Sequence, residues 1–542
     1  MESRVLPIGI QSFSKIRENN YLYVDKTEYI YSLASNAGIY FLSRPRRFGK
    51  SLLISTLSEY LSGNKKLFKG LKIEKLEEEN PTGENGAWTP SPVIKLDFNS
   101  GMYDSVEGLK SAISYRLSNY EQELGVTKEF NGERIDLSAR FDRLIRETHR
   151  KTGLKVAVLV DEYDKPLLQN ISNETLNSEI RQILKSFFGV LKSVDDLIRF
   201  VMITGVTKFS HVSIFSDLNQ LNDISMDSYY NAICGITLSE IEENFNPEID
   251  IISKSLSLSR EDIIKKLTLK YDGYCFTEPK EGVSRIYNPF SLLSCFFQKA
   301  IRNYWFATGT PTFLVEIMKS THYDVQKLLT GVDAKVSVFN EYRADSASPI
   351  PLFYQSGYLT IGEYDSALQR YKLVVPNDEV KYGLVESFIP LYLGIPEGTG
   401  TSVEDFVAQI TEGDIDGFMQ SLAALIASIP YDDTRKADKT YSYEYTYKVA
   451  VFLIFTLAGQ YIRSEVHTIK GRMDAVCETS GYVYIFEFKM SNAPDGSSDA
   501  ALQQIENQEY DIPFKASNKQ IVKIGIVFDA DRRNITEWKA TC

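Results

Sequence analysis

The run Tyr482-Val-Tyr-Ile-Phe-Glu-Phe-Lys489 is apolar except for Glu487 and Lys489. In an extended chain, residues two apart point to the same face, so a carboxylate and an ammonium share it. Asp474 lies on a preceding stretch of strand character. A two-residue turn at Thr479-Ser480 would set Asp474 opposite Ile485 and leave Glu487 as its same-face diagonal neighbour, with Cβ atoms about 7 to 8 Å apart. Carboxylates at that spacing can share one hard divalent cation, Mg²⁺ or Mn²⁺, and a lysine beside them can orient or deprotonate an attacking water. Those are the parts of phosphodiester hydrolysis. A three-residue turn with Gly481 as a bulge would put Asp474 on the other face. An isolated Glu-x-Lys is more often a surface ion pair, and only the order of elements around it raises it to a candidate site.

A second constellation lies near the N-terminus. Ile39-Tyr-Phe-Leu-Ser-Arg44-Pro-Arg46-Arg47-Phe-Gly49-Lys50-Ser51 passes from an apolar strand through a loop into a helix. Gly49-Lys50-Ser51 has the form of the end of a Walker A loop, in which backbone N–H groups cradle phosphates. Lys50 would reach the terminal phosphates and Ser51 would bind Mg²⁺. Arg44 stands where that motif has its first glycine, so the loop must either strain at Arg44 or take a different shape. Arg46 and Arg47 could contact phosphates directly, although loop arginines are usually only solvated.

Val156-Ala-Val-Leu-Val160 is a buried strand pattern that ends in Asp161 and Glu162. There Asp161 would hold Mg²⁺ through water and Glu162 would polarise the attacking water. Capping of the next helix is the plainer reading for Asp164. Thr204, at the end of Val201-Met-Ile-Thr204-Gly205, stands where a nucleotide-sensing polar residue would be placed, though strand-terminal threonines are common.

The elements that must position these groups follow from pattern. Apolar runs at Ile39 to Leu42, Val93 to Phe98, Val156 to Val160 and Phe200 to Thr204 alternate with helical periodicity at Ser51 to Leu61 and Glu179 to Leu191. This is an α/β signature with a parallel sheet, a P-loop-type domain over residues 1–235. Amphipathic helices dominate from 236, and two short strand patterns, Tyr358 to Ile361 and Tyr371 to Val375, predict a helical lid and a winged-helix-like unit over 236–400. Gly394 to Thr401 reads as a linker. Beyond it, 401–542 contains helix 441–461, strands 464–470, 472–477 and 482–489, helix 498–510 and strand 521–528, an α-β-β-β-α-β order.

A chain of 542 residues is too long for a single core, and its 43% hydrophobic, 24% charged and 12% aromatic composition is that of folded domains. The net charge of -12 supplies no global basic field, so a polynucleotide would have to be held by a local groove or a partner. Five cysteines without paired spacing suit a reducing compartment. His467 reads as an ordinary strand histidine, with no second His or Cys to make a transition-metal site. The opening Met1-Glu-Ser-Arg4 has no signal-peptide pattern and no apolar run spans a bilayer, so the expectation is a cytoplasmic protein without membrane contact.

Gly471-Arg-Met-Asp474, Ile485-Phe-Glu487-Phe-Lys489 and Ala501-Leu-Gln503-Gln-Ile505 resemble the PD-(D/E)XK nuclease superfamily. The resemblance implies Asp474 and Glu487 as metal ligands and Lys489 as the catalytic lysine, with Gln503 and Glu444 as accessory residues. On their own, Glu444 reads as a helix-start residue and Gln503 as an ordinary helical polar residue. Leu6-Pro-Ile-Gly9, Tyr23-Val-Asp-Lys-Thr27, Arg44-Pro-Arg-Arg-Phe-Gly-Lys50 and Asp161-Glu-Tyr-Asp164 resemble the AAA-ATPase-like family, and Phe215-Ser-Asp-Leu-Asn219, Tyr271-Asp-Gly-Tyr274 and Tyr287-Asn-Pro-Phe290 extend the likeness. The Arg44 departure belongs to that family's pattern. ATP and Mg²⁺ (or Mn²⁺) are the cofactors this implies. The implied partner is nucleic acid, DNA first, with a homo-oligomer or a protein partner left open. The leading expectation is an ATP-binding protein with a metal-dependent nuclease domain in defence or mobile-element DNA processing. The alternative is a nucleotide-gated scaffold on an inactive nuclease fold.

Overall fold

The computed structural model describes residues 5–83, 86–126, 129–130, 133–134, 136–171, 173–208, 214–216, 218–305, 314, 318, 323–340, 348–393, 403–427, 443–459, 463–469, 472–529, 531–532 and 534–542; of Glu444 and Asp474 it describes the backbone alone. The expected linker at Gly394 to Thr401 lies outside these residues. The described chain divides into two compact units, one of Met1–Gly309 and Thr330–Asn377, the other of Thr310–Leu329 and Asp378–Cys542.

The strands of the first unit are β1 (Gly38–Ser43), β2 (Val93–Asp97), a short hairpin of β3 (Glu129–Phe130) and β4 (Glu133–Arg134), β5 (Val156–Asp161), β6 (Ile198–Gly205) and β7 (Leu221–Asp223). Five of them make a parallel sheet in the order β2-β5-β6-β1-β7. Every residue of β5 is buried, which is why that segment reads as a continuous apolar run. Register places Leu42 beside Thr204, Ser43 beside Gly205 and Asp97 beside Asp161. The loop after β1, the carboxylates after β5 and the threonine of β6 therefore emerge at the same edge, the carboxyl ends of the strands, where ligands bind in sheets of this kind.

The middle of this unit is helical. Leu238–Asn244 starts from a capping box of Thr237 and Glu240, and it is followed by Asn246–Leu256, Arg260–Tyr271 and Pro289–Gln298. They share a core of Phe245, Ile249, Ile263, Leu267, Leu292 and Cys295. A small antiparallel sheet of β8 (Val332–Lys335), β9 (Thr360–Asp365) and β10 (Arg370–Val374) follows, in the order β8-β10-β9.

The second unit carries helices Asp378–Leu393, Val403–Glu412, Ile415–Ala427 and Tyr443–Ala458, then β11 (Arg463–Ile469), β12 (Arg472–Glu478), β13 (Tyr482–Met490), helix Ser498–Asn507, β14 (Gln520–Asp529) and β15 (Asn534–Thr541). The sheet runs β11-β12-β13-β14-β15 and is antiparallel except at β13 and β14, which the helix joins as a parallel crossover. The expected α-β-β-β-α-β order is present, with β15 added at the edge. Gly525 on β14 stands beside Glu487, and a Cβ there would come within 2.5 Å of the Ser498 carbonyl oxygen. Its bareness lets the crossover helix seat on the sheet. Among the described residues no helix is long and apolar enough to cross a membrane.

Candidate functional site

The C-terminal constellation is built on the hairpin of β12 and β13. The Thr479 N–H donates to the Tyr482 carbonyl at 2.9 Å, and the Tyr482 N–H donates to the Thr479 hydroxyl at 3.0 Å. Thr479 and Tyr482 thus face each other, and Ser480 and Gly481 form the turn. The expected turn at Thr479-Ser480 is corrected by one residue, because the threonine hydroxyl stands in for a backbone acceptor and fixes the pairing one step further along. Asp474 consequently lies directly opposite Glu487. That is the closest same-face relation two strands offer, with Cβ atoms typically about 5 Å apart. His467 on β11 is in turn opposite Asp474.

Glu487 is fully buried, and Lys489, two residues on, is buried on the same face. The Lys489 Nζ donates to Gln504 Oε1 at 2.7 Å and pairs with the Asp495 carboxylate. Asp495 reaches back because the chain after β13 folds tightly at Gly496, where a Cβ would collide with the Met490 carbonyl. The helix Ser498–Asn507 buries Ala501, Leu502 and Ile505. Gln504 borders that stripe and Gln503 is exposed. Gln504, not the Gln503 expected as an accessory residue, is therefore the one in contact with Lys489, since at 3.6 residues per turn position 503 points away from the 501/505 seam. Neither Gln504 nor Asp495 was foreseen. The helical phase of Ala501 and Ile505 was the available signal for the first, and nothing in the spacing marked the second.

Phe486 and Phe488 pack on Phe455, so helix Tyr443–Ala458 lies on the opposite face of β13 from Glu487 and Lys489. Glu444, in the first turn of that helix, is not on the element that covers the Glu487 face. Among the described residues no group of three His, Cys, Asp or Glu converges. A pair of carboxylates in register is a donor set suited to a hard cation that keeps several waters, as Mg²⁺ and Mn²⁺ do, rather than to zinc.

At the N-terminal sheet, the Arg44 N–H continues the ladder by donating to the Gly205 carbonyl at 3.1 Å. Arg44 avoids left-handed backbone; that conformation falls on Arg47 (φ 69) and Gly49 (φ 99). The loop takes a different shape. Its buried Arg44 guanidinium donates to the carbonyls of Ser43 (2.9 Å), Ser225 (2.8 Å) and Tyr230 (3.0 Å) and stacks on Phe276 at 4.2 Å. Lys50 begins helix Lys50–Leu61 and is buried, its Nζ donating to Arg44 O at 2.9 Å and Pro45 O at 3.0 Å. Ser51 is the second residue of that helix. Arg46 and Arg47 are exposed, and the Arg47 guanidinium lies over the Phe290 ring at 4.3 Å.

Asp161 is buried, and the Thr204 hydroxyl donates to its Oδ1 at 2.7 Å. The structure thus brings together the expected metal carboxylate and the expected sensor. Glu162 follows at φ 52, an unfavourable backbone for a side-chain-bearing residue. Burial pushes its carboxyl up, and the nearby Lys50 charge opposes that. Asp164 does not cap helix Lys165–Leu168. It is fully buried and accepts from the Thr207 N–H (2.6 Å), the Thr207 hydroxyl (2.7 Å) and the Val206 N–H (3.1 Å), tying the end of β5 to the loop after β6. The capping expectation fails because those donors, displayed by the loop that follows the neighbouring parallel strand, satisfy the carboxylate more completely than one helix N–H would. Beside Gly49 a cavity of about 110 Å³ opens, walled chiefly by apolar side chains such as Tyr23, Val24, Phe48, Leu52 and Pro289.

Fold and sites together define a class: a parallel-sheet P-loop-type module followed by a nuclease-type mixed sheet. Residues 7–215 match the family model described as "Predicted AAA-ATPase", and residues 442–538 match the "PD-(D/E)XK nuclease superfamily". Over 542 residues, 99% of this chain and 98% of the relative, the sequence is 38% identical to the "Uncharacterized protein in vnfD 5'region" of Azotobacter chroococcum mcd 1. The chain belongs to the AAA-ATPase-like family with a C-terminal PD-(D/E)XK nuclease superfamily domain, and its similarity to the Azotobacter protein spans both of these regions. Domains of these two kinds generally use ATP and divalent metal ions.

Proposed function

We propose that this protein is a metal-dependent nuclease whose activity responds to ATP. The observation that carries the reading is the direct register of Asp474 with Glu487, with Lys489 two residues on. Asp474 and Glu487 would hold Mg²⁺ or Mn²⁺, a cation that polarises a phosphodiester and acidifies water. Lys489 presents an ammonium on the same face, held by Gln504 and Asp495, to orient the attacking water or to meet the charge that develops on the phosphate. The polynucleotide is DNA in this reading, and the biological setting is defence or mobile-element processing.

At the other site, Lys50, Ser51 and Asp161 would hold the phosphates and Mg²⁺, Arg46 and Arg47 flank them, Thr204 reads the metal carboxylate and Glu162 polarises water. The apolar cavity beside Gly49 suits a flat heterocyclic base, which supports ATP over a bare phosphate. The test is incubation of the full chain with linear, nicked and single-stranded DNA and with RNA, in Mg²⁺ or Mn²⁺, with and without ATP. Cleavage of DNA that changes with ATP is expected; no cleavage of any substrate in any nucleotide state would sink the reading.

A further inference from the structure

Each residue from Arg44 to Phe48 is gripped by one that lies far later in the chain. Arg44 binds two carbonyls beyond β7 and stacks on Phe276. Pro45 lies against Gly357, where a Cβ would approach its ring to 2.6 Å. The Arg46 carbonyl accepts from the Trp305 indole at 3.3 Å, and Arg47 sits on Phe290. Phe48 meets Tyr274 and Phe276 edge-on at 4.8 and 5.6 Å. A loop that starts with glycine owes its shape to its own backbone freedom. This loop is shaped from outside. The two residues whose side chains are anchored in this way, Arg44 and Pro45, also supply the carbonyls that hold Lys50 Nζ, so the anchor decides where the lysine stands.

We propose that residues 225–305 together with Gly357 are a working part of the phosphate loop, with Arg44 as the positioning residue that acts through Lys50, so that nucleoside triphosphate binding and the seating of these residues are one linked equilibrium. The proposal rests on Lys50 as a phosphate ligand. Linkage makes it reciprocal: ATP must tighten residues 271–290, and loosening them must weaken ATP.

Arg44→Gly separates the alternatives, because it restores the glycine of the usual motif while it removes the anchor. ATP binding by the full chain is measured by equilibrium dialysis, and amide hydrogen exchange at 225–230 and 271–290 is read in the same samples. Arg44→Gly is expected to weaken ATP binding on the order of tenfold or more and to abolish the protection that ATP confers on 271–290 in the parent chain. Phe290→Ala, which removes the stack on Arg47 along with part of the packing on the helical core and leaves the Arg44 anchor in place, is expected to weaken binding roughly threefold and serves as the judge if Arg44→Gly does not fold. Folded variants that bind ATP as tightly as the parent, or parent binding with no change in protection at 271–290, overturn the proposal. A parent chain that binds no ATP overturns instead the assignment of Lys50 on which it rests.

Discussion

Asp474 and Glu487 face each other directly across β12 and β13. Two carboxylates so opposed repel unless a cation lies between them. Saturating Mn²⁺ is therefore expected to stabilise the chain by about 2 to 3 kcal/mol, a rise of roughly 4 to 12 °C in the melting temperature of the C-terminal unit. Glu487→Gln should lose that response. Scanning fluorimetry in EDTA and in Mn²⁺ reads both; an equal Mn²⁺ shift in the variant would place the cation elsewhere.

Adjacent glutamines should differ sharply. Gln504 accepts from Lys489 Nζ, whereas Gln503 is exposed. Gln504→Ala leaves the buried ammonium with Asp495 as its hydrogen-bond partner among the described residues and is expected to slow cleavage about tenfold or more through misplaced Lys489, whereas Gln503→Ala stays within about twofold. Single-turnover rates on one DNA substrate decide it, and equal losses would remove Gln504 from the site.

Glu162 holds its left-handed backbone at the cost of strain. Glu162→Gly should raise stability by about 1 kcal/mol while ATP hydrolysis falls by two orders of magnitude or more. Thermal melts and phosphate release check the two halves, and a variant that hydrolyses ATP normally would take Glu162 out of the chemistry.

Burial pushes the Asp272 carboxyl up to about 6, against smaller opposing effects of a Gly273 hydrogen bond and Arg285. A carboxyl raised in the folded state binds its proton more tightly there than in the unfolded chain. Its contribution is present below pH 4 and is lost as pH rises through 6. Asp272→Asn should therefore gain stability relative to the parent between pH 4 and 7, by on the order of 2 kcal/mol. The difference between parent and variant melts across that range measures it; a constant difference would mean Asp272 ionises normally.

Residue types and element order made much of this architecture legible. β1, β5 and the 200–203 part of β6 are continuous apolar runs because both sheet faces are covered, whereas β2, Val-Ile-Lys-Leu-Asp, alternates buried with half-buried residues. β7, only Leu-Asn-Asp, is a strand through its pairing with β1 and carries no pattern of its own. β15, Asn-Ile-Thr-Glu-Trp-Lys-Ala-Thr, is an edge strand with mostly exposed residues, so no apolar signal marks it. At the candidate sites Asp474, Glu487, Lys489, Lys50 and Asp161 stand out by type. What sequence could not supply was side-chain direction: the Thr479 hydroxyl that resets the turn, the helical phase that separates Gln504 from Gln503, and the Arg44 guanidinium, two of whose acceptors lie 181 and 186 residues away.

The most direct test of the metal-dependent nuclease reading is single-turnover cleavage of labelled DNA in Mg²⁺ and in Mn²⁺ by the parent chain, Glu487→Gln and Lys489→Met, all shown to be folded. The parent should cleave only with divalent cation, and both variants should lose at least about a hundredfold in rate. Cleavage that persists in EDTA, or a folded Glu487→Gln that cleaves at the parent rate, would contradict the account.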